Sequence, residues 1–249
     1  MGQDHFHDVV WVITKDGDDY LKHLSDLGEL GARDPGAPAD LIGQLSDFPR
    51  LETLTLVGSD ANEKGLKYAG QQGSLRTLHL FRPFQFTEQG MAHLAGLGEL
   101  QSLTITSTQI ESLRGLERVP SLRHLFIDHS DFKGECFQHL QALTQLRQLR
   151  LASREVTLTD EDLIHLGSLT QLEHLAVDVS EITEEGVRHL AGLENLQSLS
   201  LAETTISADG LRHLATLNNL RSLTVKFSGK QEAAWLQQQL PGCTVRFRR

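Results

Sequence analysis

Leucines recur along the chain in the pattern LxxLxL, where x is any residue and Val or Ile sometimes replaces the last leucine. The copies begin at Leu51, Leu75, Leu100, Leu122, Leu146, Leu172, Leu196 and Leu220. Eight copies at nearly constant spacing indicate an internally repeated structure. Because alternate side chains of a strand share one face, the fourth and sixth positions of each copy are predicted to enter a core from a short strand.

Each copy continues in a similar way after its strand. A small polar residue suited to a turn comes first, as at Thr108 and Ser130, and an apolar residue such as Ile110 follows two positions later. Most copies then contain a helix start, in which Thr87 or Thr183 is the expected N-cap and an acidic residue comes next. The pattern therefore predicts one strand, one turn and one helix in each copy.

Two copies depart from this pattern. Apolar residues normally recur at every third position of the expected helix, as in Met91, Leu94 and Leu97. The copy from Leu100 is shorter and lacks the helix start, so a turn or a short tight helix is expected there. The copy from Leu146 is longer within SREVTLTDED, which we interpret as an inserted loop at a rim.

Stacking of the copies predicts one continuous domain, since a single copy cannot bury its own apolar face. Residues 51–229 are expected to form the repeated body, and residues 230–249 a C-terminal cap with a helix near residues 232–240 and Val245 and Phe247 on a final edge strand. Residues 1–50 are expected to form a degenerate repeat and cap. Within them VVWVI and two helix-like segments flank GARDPGAP, the expected loop or linker.

The repeats resemble leucine-rich repeats, most clearly in LEHLAVDVSEITEEGVRHLAGLEN and LQSLSLAETTISADGLRHLATLNN. They are similar to the ribonuclease-inhibitor-like and bacterial GALA-type class, with about 24 residues per repeat. The resemblance covers residues 51–249. It implies an α/β fold, a right-handed solenoid or horseshoe with parallel strands on its concave face and helices on its convex face. It also implies a non-enzymatic module that binds a protein partner.

Composition narrows the function classes. A net charge of -10 repels nucleic-acid phosphates and anionic lipids, so neither nucleic acid nor a membrane is an expected partner. The sequence contains neither a long apolar stretch nor a signal-peptide pattern, from which we predict a cytoplasmic protein. We also expect the protein to be a monomer. Its two cysteines, Cys136 and Cys243, fit neither a disulfide framework nor metal-ligand spacing.

Five histidines occupy one equivalent position, directly before a core leucine of the expected helices. They are His93, His139, His165, His189 and His213. Packed helices lie roughly 8 to 10 Å apart, whereas imidazole nitrogens must converge within about 2 Å of a metal ion. This ladder is therefore interpreted as structural, and no metal or other cofactor is expected.

The third, fifth and seventh positions of the repeats are predicted to face away from the core, onto the concave surface. Small hydroxyl residues dominate the two ends of this surface, and large side chains lie in its middle. The candidate protein-binding residues are His79, Phe81, His124, Phe126, Asp128, Arg150, His174 and Asp178. Arg150 lies between the strands of Asp128 and Asp178, so a salt bridge with either carboxylate is the alternative to a role in binding.

Catalysis is not expected at these residues. His124 and Asp128, like His174 and Asp178, are four positions apart on one strand, a separation of roughly 13 Å that prevents proton sharing. The sequence contains no nucleophile motif, P-loop or HExxH. In FRPFQF, Phe86 is the expected core residue, while Phe84 either reaches the concave face or fills a gap beside the Leu100 copy.

Two alternatives to a self-contained binding module stay open. In the first alternative, the chain is a substrate-recognition arm of a ubiquitin-ligase-like or other modification system. In the second, it is a structural segment of a larger protein. Residues 1–50 show no convincing F-box pattern, which disfavours the first alternative.

Overall fold

Strands of one parallel sheet account for most of the regular structure in the computed structural model. The structure describes residues 9–12, 29–33, 49–58, 61–83, 87–110, 112–132, 136–152, 158–178, 182–206, 208–226, 235 and 237–248. Its strands are β1 Val9–Val12, β2 Glu29–Arg33, β3 Thr53–Val57, β4 Thr77–Phe81, β5 Ser102–Thr106, β6 Gln109–Ile110, β7 His124–Asp128, β8 Asp131–Phe132, β9 Gln148–Ala152, β10 His174–Asp178, β11 Ser198–Thr205, β12 Ser222–Lys226 and β13 Thr244–Arg248.

Eleven of the described strands form a single sheet in the order β1-β2-β3-β4-β5-β7-β9-β10-β11-β12-β13. Every pair in it is parallel, and the register joins equivalent positions of successive repeats, as in Leu54 with Leu78 and Leu175 with Leu199. The short strands β6 and β8 pair separately, also in parallel. Parallel strands with helical crossovers confirm the predicted α/β solenoid.

The core lies where the leucine pattern predicts it. The fourth and sixth positions of the repeats from β3 to β12 are almost fully buried, and the leucines that begin each copy are buried with them. Leu149 and Leu175, for example, each expose 1% of their surface. The third, fifth and seventh positions of the same strands are mostly half-buried or exposed, which confirms the predicted strand faces.

The helical segments on the other side of the core are shorter than a regular helix pattern implies. The helices with described bounds include the α-helices Glu63–Ala69, Glu88–His93, Asp160–Leu166, Glu184–His189 and Ala208–Leu211. They also include the 3-10 helices Leu94–Gly96, Leu116–Arg118, Phe137–Ala142, Leu190–Gly192 and Arg212–Thr216. A spacing of three residues is the period of a 3-10 helix, so Leu94 and Leu97 stay buried while the α-helix ends at His93. The Leu100 copy contains only a 3-10 helix, as predicted.

The predicted N-caps at Thr87 and Thr183 are present in the structure. Thr87 Oγ1 accepts a hydrogen bond from the Gly90 N–H at 3.2 Å, and Thr183 Oγ1 accepts one from the Glu185 N–H at 3.2 Å. Asp160 links successive repeats, because its carboxylate accepts from the Thr183 N–H at 2.8 Å and from the Thr183 hydroxyl at 2.6 Å. Asp160 therefore also stabilises the helix start of the next repeat.

Polar side chains also join successive turns. The buried Ser130 hydroxyl accepts a hydrogen bond from the Thr108 N–H, and the Thr108 hydroxyl donates to the Pro83 carbonyl. Ser121, the residue directly before the LxxLxL copy from Leu122, donates from its Oγ to the Leu100 carbonyl at 2.8 Å. The turn residues thus have the cross-repeat bonding role predicted for them.

Four successive repeats have a left-handed residue at the eighth position, directly after the strand. These residues are Gly58, Arg82, Ser107 and His129, with φ of 62, 51, 59 and 52°. Only the first is a glycine, the residue that adopts this conformation without steric cost. The regular stacking of the repeats imposes the conformation on the other three, whose side-chain types carry no sign of it.

Helical turns of neighbouring repeats approach each other through their backbones. A Cβ atom added to Gly70 would overlap the His93 carbonyl, and one added to Gly96 would overlap the Gly70 carbonyl. Glycine at these turns therefore sets how closely the helical layers stack, a role that requires the absence of a side chain.

The first repeats extend the sheet further than the loop prediction allowed. Residues 31–33 of GARDPGAP belong to β2, which pairs with β3 along its full length, so that part of the loop prediction is wrong. The segment LGELGA from Leu27 differs from the repeat pattern only in having Ala32 at the sixth position. This small residue concealed the repeat, since strand pairing is decided by the backbone. The two helix-like segments of residues 1–50 lie outside the described residues.

At the other end β13 pairs with β12, so Val245 and Phe247 lie on the last strand of the described sheet, as predicted. The described part of the cap helix packs through Trp235, which contacts the core and lies 5.1 Å from the Arg212 guanidinium carbon. None of the described helices has the length and apolarity needed to cross a membrane.

Candidate functional site

Strand register brings six of the candidate residues together on the middle of the concave face. We call His79, Phe81, His124, Phe126, Asp128 and Arg150 the concave patch. Phe126 lies opposite Thr104 on one neighbouring strand and opposite Arg150 on the other. The patch therefore spans four adjacent strands, β4, β5, β7 and β9.

Two strands of the concave patch each carry a stacked aromatic pair. The rings of His79 and Phe81 have centroids 6.1 Å apart, and those of His124 and Phe126 are 6.5 Å apart, both nearly parallel. Between them lies β5 with small side chains such as Thr104, so the two pairs are separated by two strand spacings, roughly 10 Å. Phe81 remains 37% exposed, although it is a large apolar side chain. Two aromatic pairs thus flank a strand that carries small hydroxyl side chains.

Arg150 forms a salt bridge across the sheet. Its Nε atom lies 2.9 Å from Asp128 Oδ1 on the neighbouring strand. Of the two carboxylates that the sequence left open, Asp128 is therefore a partner in this structure. The salt bridge holds the Arg150 side chain on the strand next to that of Phe126.

The remaining two candidates lie on β10, beyond Arg150. His174 is half-buried and lies in register with Gln148 and Ser198, so a whole strand separates it from His124. Asp178 ends β10, and its side chain lies outside the described part of the structure. Phe84 and Phe86, and most of the SREVTLTDED loop, also fall outside the described residues.

The environment of His124 favours its neutral form. Burial lowers the pKa of His124 below 6.5, and the nearby positive charges of Arg123 and Arg147 lower it further, while Glu173 acts in the opposite direction. His124 is thus partly buried and lies near two arginines, Arg123 and Arg147, that directly precede β7 and β9.

The sequence reading missed this positive rim, which the second position of the repeats forms. In strand order, the column is Glu52, Arg76, Gln101, Arg123, Arg147, Glu173, Gln197 and Arg221. Arg76 lies 4.0 Å from Glu52, and Arg147 donates to Glu173 at 2.8 Å. Reading the second position along the repeats, as the third and fifth were read, is the signal that would have revealed the column.

The histidine ladder lies on the helical side, away from the concave patch. All five residues are half-buried. His93 Nε2 lies 4.0 Å from Glu63, and His139 Nδ1 lies 3.9 Å from Glu117. Among the described residues, no group of three or more His, Cys, Asp or Glu side chains has a metal-binding arrangement. Cys136 and Cys243 are buried, and they form no disulfide with each other.

Solved structures with a similar fold are leucine-rich repeat proteins. Internalin C2 from Listeria monocytogenes matches with a TM-score of 0.54 and 23% identity over 75% of this chain and 76% of its own. A second internalin (inlF) from the same organism matches with a TM-score of 0.55 and 17% identity over 90% of this chain and 74% of its own. The fold is accordingly an α/β leucine-rich repeat solenoid.

A third match is TLR13, whose structure was determined in complex with ssRNA13. The TM-score is 0.64 and the identity 21%, over 91% of this chain and 36% of that one. No protein-family model and no curated protein sequence matches the chain. These likenesses establish the fold, and function is argued from the site.

Proposed function

We propose that the chain is a non-enzymatic protein-binding module whose partner docks on the concave patch. The observation that carries the proposal is the concentration of large side chains in the middle of a face that is otherwise rich in Ser and Thr. Aromatic and Arg side chains most often dominate interface energy, and here they lie on rigid strands. An open sheet surface also suits a macromolecule better than a small ligand, which needs a concave pocket.

Several finer assignments belong to this proposal. The repeats are assigned to the ribonuclease-inhibitor-like or GALA-type class, and the chain to a monomer with residues 1–50 and 230–249 as its caps. A protein is favoured over a nucleic acid because the net charge of -10 opposes phosphate binding. His174 and Asp178 are assigned to the edge of the binding surface. A cytoplasmic location remains a prediction from the sequence.

The test is the paired substitution Phe126→Ala with Arg150→Ala. Affinity capture from an extract of the native source should recover a partner with the wild-type protein and lose it with this variant. Calorimetry on the purified partner should then show a loss of about 2 kcal/mol or more, roughly thirtyfold in affinity. Stability should change little, because neither side chain is part of the buried core.

The control is a pair of charge removals on the helical side, Arg114→Ala with Arg188→Ala. Each arginine forms an exposed salt bridge, with Glu88 at 3.0 Å and with Glu185 at 3.0 Å, so its loss should have little effect on folding. Arg212 is unsuitable as a control because it lies over the Trp235 ring of the cap. Equal partner affinities for the concave and control variants would contradict the proposal.

A further inference from the structure

The rim column beside the concave patch contains an exposed arginine without an acidic partner. Arg123 continues the ladder of the sheet, since its N–H donates to the Gln101 carbonyl and its carbonyl accepts from the Arg147 N–H. Its neighbours in the column are therefore an uncharged amide and a second arginine. Among the residues that the structure describes, Arg123 forms no ion pair.

Both acidic residues of the column are already paired with other arginines. Arg76 is directed to Glu52 on one side, and Arg147 to Glu173 on the other. Both carboxylates are thus engaged at the flanks, and the positive charge of Arg123 remains in the centre. Burial is the largest cause of the lowered pKa of His124, and the positive charge of Arg123 lowers that pKa further, more than the charge of Arg147 does.

The sequence limits the distance between Arg123 and the aromatic pair on β7. Arg123 is the exposed residue directly before β7, and Phe126 follows it by three residues, so the path between their Cα atoms spans at most roughly 10 Å. An extended peptide alongside β7 would span the same length with three residues. A cation at one end of this span and a partly exposed aromatic side chain at the other form a two-point surface.

Building on the proposed function, we infer that the partner presents an extended acidic segment. In it an Asp or Glu contacts Arg123, and an apolar or aromatic side chain about three residues away packs against the His124–Phe126 pair. The local charge selects the carboxylate although the chain as a whole is acidic, because interactions beyond about 10 Å are screened at physiological salt.

A single-stranded nucleic acid is a poorer fit for the same surface. Affinity for a phosphate backbone accumulates over several cations, and two of the three central arginines are already paired with glutamates. The acidic balance of the chain also opposes a polyanion. A protein segment with one or two carboxylates matches one available arginine.

The experiment selects peptides from a phage-displayed library of random 12-residue sequences on the immobilised full-length protein. Enriched sequences should contain Asp or Glu about three residues from Phe, Tyr, Trp or Leu. A synthetic peptide of the enriched sequence should bind Arg123→Gln five- to tenfold more weakly than wild type. Replacing its acidic residue by the amide should cause a similar loss, and the two losses should not add.

The matched control is Arg221→Gln. Arg221 occupies the same position of the column and is also exposed without an ion pair to a described residue. It directly precedes β12, which lies four strand spacings or roughly 19 Å from β7. Its substitution should leave peptide affinity unchanged. A selection that enriches no sequence, or sequences without acidic residues, would overturn the inference, as would unchanged binding to Arg123→Gln.

Two further arms separate this inference from the proposed function. If Phe126→Ala with Arg150→Ala weakens the peptide and Arg123→Gln does not, the concave patch binds and the acidic contact is wrong. If only Arg123→Gln weakens peptide binding, the assignment of the concave patch as the binding site is wrong. A fluorescein-labelled 12-nucleotide single-stranded RNA should not bind, and Arg123-dependent RNA binding would replace the protein segment by nucleic acid.

Discussion

At the scale of single residues, identical chemistry has different roles on the two sides of the core. Histidines on the helical side contact glutamates of neighbouring repeats, as His93 and His139 do, whereas His79 and His124 stack on phenylalanines of the concave patch. Position within the repeat decides the role, because it decides which face the side chain occupies.

The titration of His124 is a residue-scale prediction. A nuclear magnetic resonance titration of its ring should give a pKa below 6.5, and Arg123→Gln should move that pKa upwards because a nearby positive charge is lost. An unshifted His124 in the wild type, or one that does not respond to Arg123→Gln, would contradict the positive rim.

The same pKa predicts a direction for stability. The folded pKa lies below the unfolded value of 6.5, so the unfolded chain takes up this proton first as the pH falls. The contribution of His124 to stability is therefore complete above pH 6.5 and declines as the pH falls through 6.5 towards the folded pKa. In Arg123→Gln this decline should be smaller, which denaturant unfolding at pH 7 and pH 5 would measure.

At the scale of elements, the helical layer is organised by backbone contact as much as by side-chain packing. Most of its α-helices are only six or seven residues long, and several continue as a 3-10 turn. Such short helices are marginal by themselves, so contact with the neighbouring repeat stabilises them. The glycine turns permit that contact.

The prediction at this scale concerns Gly70→Ala. The added Cβ would overlap the His93 carbonyl of the next repeat, so the layers must separate at a cost of about 1 to 3 kcal/mol in the free energy of unfolding. Gly73→Ala is the control, because no atom lies within 4 Å of a Cβ there. Denaturant unfolding of both variants measures the difference, and equal stability would show that the turns do not limit the spacing.

At the scale of the whole molecule, the repeats form a one-dimensional stack whose ends need cover. At the C-terminal end β13 supplies the last strand, and the buried Leu240 and Cys243 close the leucine layer. Trp235 packs against the same core from the cap helix.

Deletion of residues 230–249 is the corresponding prediction. It removes β13 and leaves β12 as an open strand edge above exposed leucines, so the truncated chain should associate and melt at lower temperature. Trp235→Ala is the comparison, since it weakens the cap without opening the strand edge and should lower stability without association. Light scattering is the measurement, and a truncated chain that stays monomeric with an unchanged melt would contradict the cap assignment.

The sequence by itself determined the repeated architecture. The period-two alternation of LxxLxL decides which residues are buried, as at Leu149 and Leu175, because strand geometry allows no other assignment once the leucines share a face. The helix starts at Thr87 and Thr183 were equally readable, since an N-cap is a local interaction between residues close in sequence. The outward positions that form the concave patch follow from the same alternation.

Only the tertiary structure decided which outward residues pair with each other and where residues adopt conformations that their types do not favour. Arg150 had two carboxylates within reach, and its contact with Asp128 depends on rotamers and lateral register between strands far apart in sequence. The left-handed Arg82, Ser107 and His129, and strand β2 with its small Ala32, follow from stacking against neighbouring repeats. The sequence shows Arg123, but only the structure shows that it forms no ion pair with a described residue while Arg76 and Arg147 are paired with glutamates. Local sequence specifies each repeat, whereas contacts between repeats specify its surface.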